Sequence, residues 1–144
     1  MADFRPGKPS WVLGQSAAQV IAGGAAANLE WDIIEWEDPD VFDGLDTITV
    51  DRPGLYWIGG QVTRAAVASS SPIVARIRRN GSTTVLHQGI ASANAYTAPV
   101  AQLCKLAAGD QVVMNVTLHA TLSASTSPAS TEFWGARIGP ERWT

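Results

Sequence analysis

Apolar and polar positions alternate along this chain in short runs, and almost nowhere at helical spacing. "PIVARIRR" sets Ile73, Ala75 and Ile77 on one face and Val74, Arg76 and Arg78 on the other. "QVVMNVTLHATL" sets Val112, Met114, Val116 and Leu118 against Val113, Asn115, Thr117 and His119. Period-two alternation of this kind predicts half-buried strands. "LEWDIIEW", with Trp31 and Ile33 on one face, "ITV" (48–50), "LYWIGGQVTR", "TTVLHQG", "PVAQLCKL" and "TEFWGARIG" read as further strands, rich in β-branched and aromatic residues. The best helical stretch, Ser16 to Glu30, is broken by Gly23 and Gly24, at about 1 kcal/mol each. It reads instead as a strand from Ala17 to Ala22 and a small-residue turn.

Turn signals separate these runs. "DRPG" places Pro53 and Gly54 ahead of the aromatic strand. Asn80-Gly81 is the strongest hairpin signal, since both residues tolerate the positive φ of a two-residue type I′ turn. In "KLAAGDQVVMNV", Gly109 and Asp110 sit between two apolar runs, where Asp110 is either a turn residue or a catalytic one. Many short strands at near-regular spacing predict an all-β sandwich or barrel. Residues 1–14 read as an extended arm, 15–139 as one domain and 140–144 as a tail.

Composition narrows the function. The chain has 144 residues, 46% hydrophobic and 16% charged, too apolar for a disordered segment. At this length a chain buries about two-thirds of its unfolded surface, so its core needs no metal or disulfide. No apolar run approaches the roughly 20 residues that span a bilayer, so no membrane partner is expected. The net charge is -3, whereas nucleic-acid binders present a basic face. The one basic cluster, Arg76 to Arg79, reads as a solvated strand end. The N-terminus shows no apolar signal core, which predicts synthesis in a cytoplasm.

Four motifs occur in a fixed order: Gly54-Leu55-Tyr56, Asn80-Gly81, then Leu106, Gly109, Asp110 and Val112, then Phe133-Trp134-Gly135. Together with "EWDIIEWEDPDVFDG" upstream, this set resembles the heads of complement collagen-like proteins and the tumour necrosis factor superfamily, over residues 15 to 139. The resemblance implies a ten-stranded jelly-roll sandwich that packs as a homotrimer, with Asp110 in a tight turn where its carboxylate accepts from nearby backbone N–H groups and Gly109 supplies the backbone freedom. A short version made in a host cytoplasm, without a collagen stalk, resembles small virion proteins of tailed phages. It implies a non-enzymatic module on the tail or decorating the capsid, localised to the virion, with itself and other virion proteins as partners. The alternative is a head that binds a cell-surface glycan.

Nothing in the sequence marks catalysis, a cofactor or a metal. His87 and His119 lie in strand patterns without a nucleophile motif, and Cys104 shares the predicted core face of Leu106. Zinc spacings are absent, and Gly23-Gly24 lacks the Lys and Ser/Thr of a phosphate loop. The acidic segment Glu30 to Asp43 offers hard oxygens for calcium, or a carboxylate pair in Glu35 and Glu37. It reads more simply as a charged edge that blocks strand addition. The tryptophans number six. Trp57 and Trp134 suit core or subunit contact, while Trp11, Trp143 and the arm residue Arg5 are the candidates for docking to a partner.

Overall fold

The computed structural model describes residues 9–38, 40–65, 71–81, 84–91 and 96–140. Among them are β1 (Ser10–Gly14), β2 (Val20–Ile21), β3 (Ala27–Asn28), β4 (Ile33–Asp38), β5 (Ile48–Thr49), β6 (Gly54–Thr63), β7 (Ile73–Arg79), β8 (Thr84–Ala91), β9 (Thr97–Leu106), β10 (Gln111–Thr117), β11 (Ala124–Ser125) and β12 (Glu132–Gly139). One sheet runs β4-β1-β12-β6-β9. A second runs β3-β10-β7-β8, with β5 also paired to β10, and β11 pairs with β2. Two five-stranded sheets make the ten-stranded jelly-roll sandwich, all-β as the alternation predicts.

The core lies between the inner faces. Trp11, Leu13, Tyr56, Ile58, Val62, Ala98 and Phe133 from the first sheet meet Ile73, Ala75, Val112, Met114 and Val116 from the second, and each of these is fully buried. Ile77 and Leu118 complete the second layer. The two faces read from "PIVARIRR" are therefore an inner and an outer one. Trp11 meets Phe133 edge-on at 5.7 Å, and Trp31 stacks on the same ring at 5.9 Å. Gly135 lies opposite Trp11 in register, and a Cβ there would run into the indole. The Phe-x-Gly pattern thus exists to seat Trp11.

Three expectations change. The arm ends earlier than residue 14, because β1 pairs with β4 on one side and β12 on the other. Pro9 is already tied in, its carbonyl accepting from Arg137 N at 2.8 Å. The strand expected from Ala17 to Ala22 shrinks to Val20–Ile21. Trp31 and Ile33 do not share a buried face, since Trp31 is in the core and Ile33 opens the exposed strand β4.

The turns follow their residue types. Asn80 and Gly81 take φ of 52° and 101° between β7 and β8, but Arg79 pairs with Thr84, so four residues and not the expected two join the strands; Gly109 takes 89°. Gly54 is not in the turn. It is the buried first residue of β6, where a Cβ would meet Arg137 Nε at 2.5 Å and the Gly139 carbonyl at 2.6 Å. Its motif is one of close approach.

Candidate functional site

The outer face of the first sheet carries the most distinctive chemistry on the molecule. Alternation sends Trp11, Leu13, Phe133 and Ile58 inward, so their neighbours point out. Register then aligns two rows across five strands. One row is Trp36, Val12, Trp134, Gly59 and Ala101; the next is Asp38, Ser10, Ala136, Trp57 and Leu103. The only charge in either row is Asp38, at the edge. Trp36 is 55% exposed, Trp57 45% and Leu103 44%. The rings of Trp57 and Trp134 lie 6.0 Å apart at 33°. Trp36 Nε1 donates to the Ser10 hydroxyl at 2.8 Å, which holds that indole against the sheet.

This separates the tryptophans into groups that sequence alone does not distinguish. Trp11, expected as a docking anchor, is a core residue, because β1 is paired on both edges and turns its odd positions inward. Trp31 is also core. Trp36 belongs to the outer face, and a β-bulge at Val12/Leu13 sets its register there. Arg5 and Trp143 lie outside the described residues.

Asp110 is a turn residue with a role no single segment shows. Its Oδ2 accepts from Ala107 N, and its Oδ1 accepts from Asn80 Nδ2, both at 2.8 Å. Asn80 Oδ1 in turn accepts from Gln111 N at 2.8 Å. The two turns flagged in the sequence thus lock onto each other.

The acidic segment is spent locally. Glu37 Oε2 accepts from the backbone of Val41 and Phe42. Asp43 Oδ1 accepts from Leu45, Asp46 and Thr47 N at 2.8 to 3.1 Å. Partial burial raises the Asp43 pKa, but the bonds from its own loop outweigh this and hold it below the usual value. The Ser16 hydroxyl and then the Ser16 amide hold Asp32 low. Among the described residues no group of three His, Cys, Asp or Glu could share one metal ion. β4 is an edge strand, and Glu35, Glu37 and Asp38 lie along it.

The nucleophile candidates are similarly committed. Cys104 packs against the core, and desolvation pushes its thiol up to about 11, which leaves it protonated at neutral pH. His119 is buried, its Nδ1 accepting from Thr121 and Leu122 N at 3.1 and 2.9 Å. The side chain of His87 lies outside the described residues. A hollow of about 300 Å³ opens near Gln15, Gln19, Trp31 and Asp32. Gln15 Nε2 there donates to the Glu30 carbonyl and to Gln19 Oε1, so its polar lining is largely self-satisfied.

No protein-family model matches the chain, and no curated protein matches it in sequence. Solved structures do match in shape. Murine APRIL at pH 5.0 superposes with a TM-score of 0.69 at 18% identity, covering 91% of this chain and 99% of that one. Eiger TNF from S. frugiperda gives 0.67 at 14% identity, with 96% and 97% covered. The globular domain of zebrafish complement 1qA gives 0.66 at 13% identity, with 92% and 99% covered. Across almost its whole length, then, the chain has the jelly-roll fold shared by tumour necrosis factors and complement 1q heads.

Proposed function

We propose that this chain is a non-enzymatic module that assembles as a homotrimer through the outer face of its first sheet. In that form it serves as a structural part of a tailed-phage virion, on the tail or on the capsid. The observation that carries the assembly is the pair of rows, charged only at Asp38 on the edge, that bear Trp36, Trp57, Trp134, Val12 and Leu103. A contiguous apolar face of this kind on a soluble domain marks an interaction site, and aromatic anchors dominate interface energetics. A second copy of the same chain supplies a matching apolar surface. The virion setting rests on the sequence resemblance alone, and detection of the chain by mass spectrometry in purified particles tests it.

Sedimentation velocity tests the assembly. The protein should run as a trimer at micromolar concentration, and Trp57→Asp should run as a folded monomer. A wild-type monomer would overturn the reading. A polar hollow on the second sheet, lined by Asn28, Thr47, Arg78 and Gln111 among others, favours a second reading, a head that binds a surface glycan. A glycan array separates the two, because a purely structural module gives no signal.

A further inference from the structure

Arg76 and Arg78 stand two residues apart on β7, on the face turned away from the core. In the sequence they look like a solvated strand end. In the fold both are half-buried. Arg76 Nη1 reaches Asn115 Oδ1 at 3.4 Å and Thr117 Oγ1 at 3.2 Å. Burial lowers the Arg76 pKa, and the neighbouring charge of Arg78 lowers it further. Arg78 Nε is buried with no hydrogen-bond partner.

Arg78 also borders a hollow of about 160 Å³, whose other walls are Asn28, Thr47, Gly81, Gln111 and Val113. The acids nearby are engaged by hydrogen bonds, Asp46 to two of the hollow's own walls and Asp110 to the flanking turns. Asp46 accepts from Asn28 Nδ2 at 3.1 Å and from the Thr47 hydroxyl at 2.7 Å. Asp110 accepts from Asn80 and Ala107. The face therefore holds two arginines close together, and Arg78 edges a concave space lined by amides and a hydroxyl, with the Asp46 carboxylate held behind Asn28 and Thr47. A guanidinium so placed is a ready fork for an oxyanion, since two parallel N–H donors match carboxylate or sulfate geometry.

We propose that this hollow binds the oxyanion of a small acidic ligand, a carboxylate or sulfate carried on a sugar ring. Arg78 takes the charge, and the Gln111 amide and Thr47 hydroxyl meet neighbouring hydroxyls. The site deepens the glycan reading and is independent of trimer assembly, because it lies on the other sheet and stays open when the tryptophan face is covered.

The test uses the full chain labelled with ¹⁵N, following the arginine Nε–H signals at constant ionic strength in chloride. Sodium sulfate, glucuronate and glucose are titrated separately. Sulfate and glucuronate should each shift the Arg78 signal saturably, and glucose should leave it in place. Tighter binding of glucuronate supports a sugar-borne group, and equal binding supports the oxyanion site while assigning it to free anions. Read by calorimetry, Arg78→Gln should weaken binding at least about tenfold, the cost of a lost charge-assisted fork. Arg76→Gln should weaken it less. Arg78→Lys keeps the charge without the fork and serves if Arg78→Gln melts early; it too should bind more weakly than wild type. The proposal is overturned if neither oxyanion gives a saturable shift, or if both Arg78 variants bind as wild type. A glycan-array signal that survives Arg78→Gln would keep the glycan reading and sink this site.

Discussion

On the outer face of the first sheet, Trp36, Trp57 and Trp134 lie in rows with Val12, Leu103 and two alanines. On the outer face of the second, Asn115 Nδ2 donates to Asn28 Oδ1 at 3.0 Å, Asn28 donates to Asp46, and Arg76 reaches Asn115 and Thr117. Both faces arise from the same strand alternation, and both are outward. Apart from Arg78 Nε, these polar groups pair with one another across three strands and can stay wet. The aromatic rows have no such self-sufficiency, since apolar area in water is relieved only by cover. An outward position therefore says nothing about whether a surface is finished. The chemistry along the row does.

The adjacent residues Phe133 and Trp134 give the sharpest way to break this comparison. Phe133→Ala opens the core beneath Trp11 and Trp31 and should cost about 3–5 kcal/mol of folding stability, read by denaturant unfolding. Trp134→Ala removes an equally large ring from the outer face. It should leave the monomer's stability within about 1 kcal/mol while weakening trimer association by about 2 kcal/mol or more. If Trp134→Ala unfolds the chain as Phe133→Ala does, the outer row is part of the folding core and not an interface.

Turn chemistry comes next in size. Gly109→Val forces a β-branched residue to a φ of 89° and should cost about 1–3 kcal/mol in thermal or denaturant melts. From sequence, Asp110→Asn looks mild. In the fold both carboxylate oxygens accept, from Asn80 and from Ala107. An amide has one oxygen and turns its NH₂ toward a donor, so Asp110→Asn should cost about 1 kcal/mol, one hydrogen bond. Asn80→Ala loses the bonds to both Asp110 and Gln111 at a φ of 52° and should cost more, about 2 kcal/mol, and the double mutant should cost less than the sum.

The smallest effect expected is in acid. Asp43 and Asp32 both have folded pKa values below the ordinary 3.8. A depressed carboxylate stabilises the fold above its unfolded pKa and loses that contribution as pH falls through the folded one. Stability should therefore be flat in these groups above about pH 5 and decline below about pH 4. Asp43→Asn should shallow that decline in melts taken across the acid range, with no change in oligomeric state. Arg76→Gln, on the polar face, should likewise leave sedimentation unchanged.

The family resemblance pointed to the jelly roll. The strand alternation was enough for an all-β sandwich or barrel and for the inner faces of β7 and β10, and residue type marked the turn at Asn80-Gly81. These are local properties: side-chain period, apolar spacing and tolerance of positive φ all act within a few residues. The positions that strand parity could not settle depend on partners far along the chain. Trp11 is core because β4 and β12, distant in sequence, close on both its edges. Trp36 joins the outer row through its pairing with Val12 on β1. Asp110 meets Asn80 because two turns thirty-one positions or fewer apart in the chain stack at one end of the sandwich. Arg78 looked solvated because a strand end carries no sign of the hollow that β3, β5 and β10 build beside it. Alternation tells which residues share a face. Only strand pairing tells which face is buried, which is covered and which is left to bind, because those outcomes depend on what the neighbouring strands place alongside.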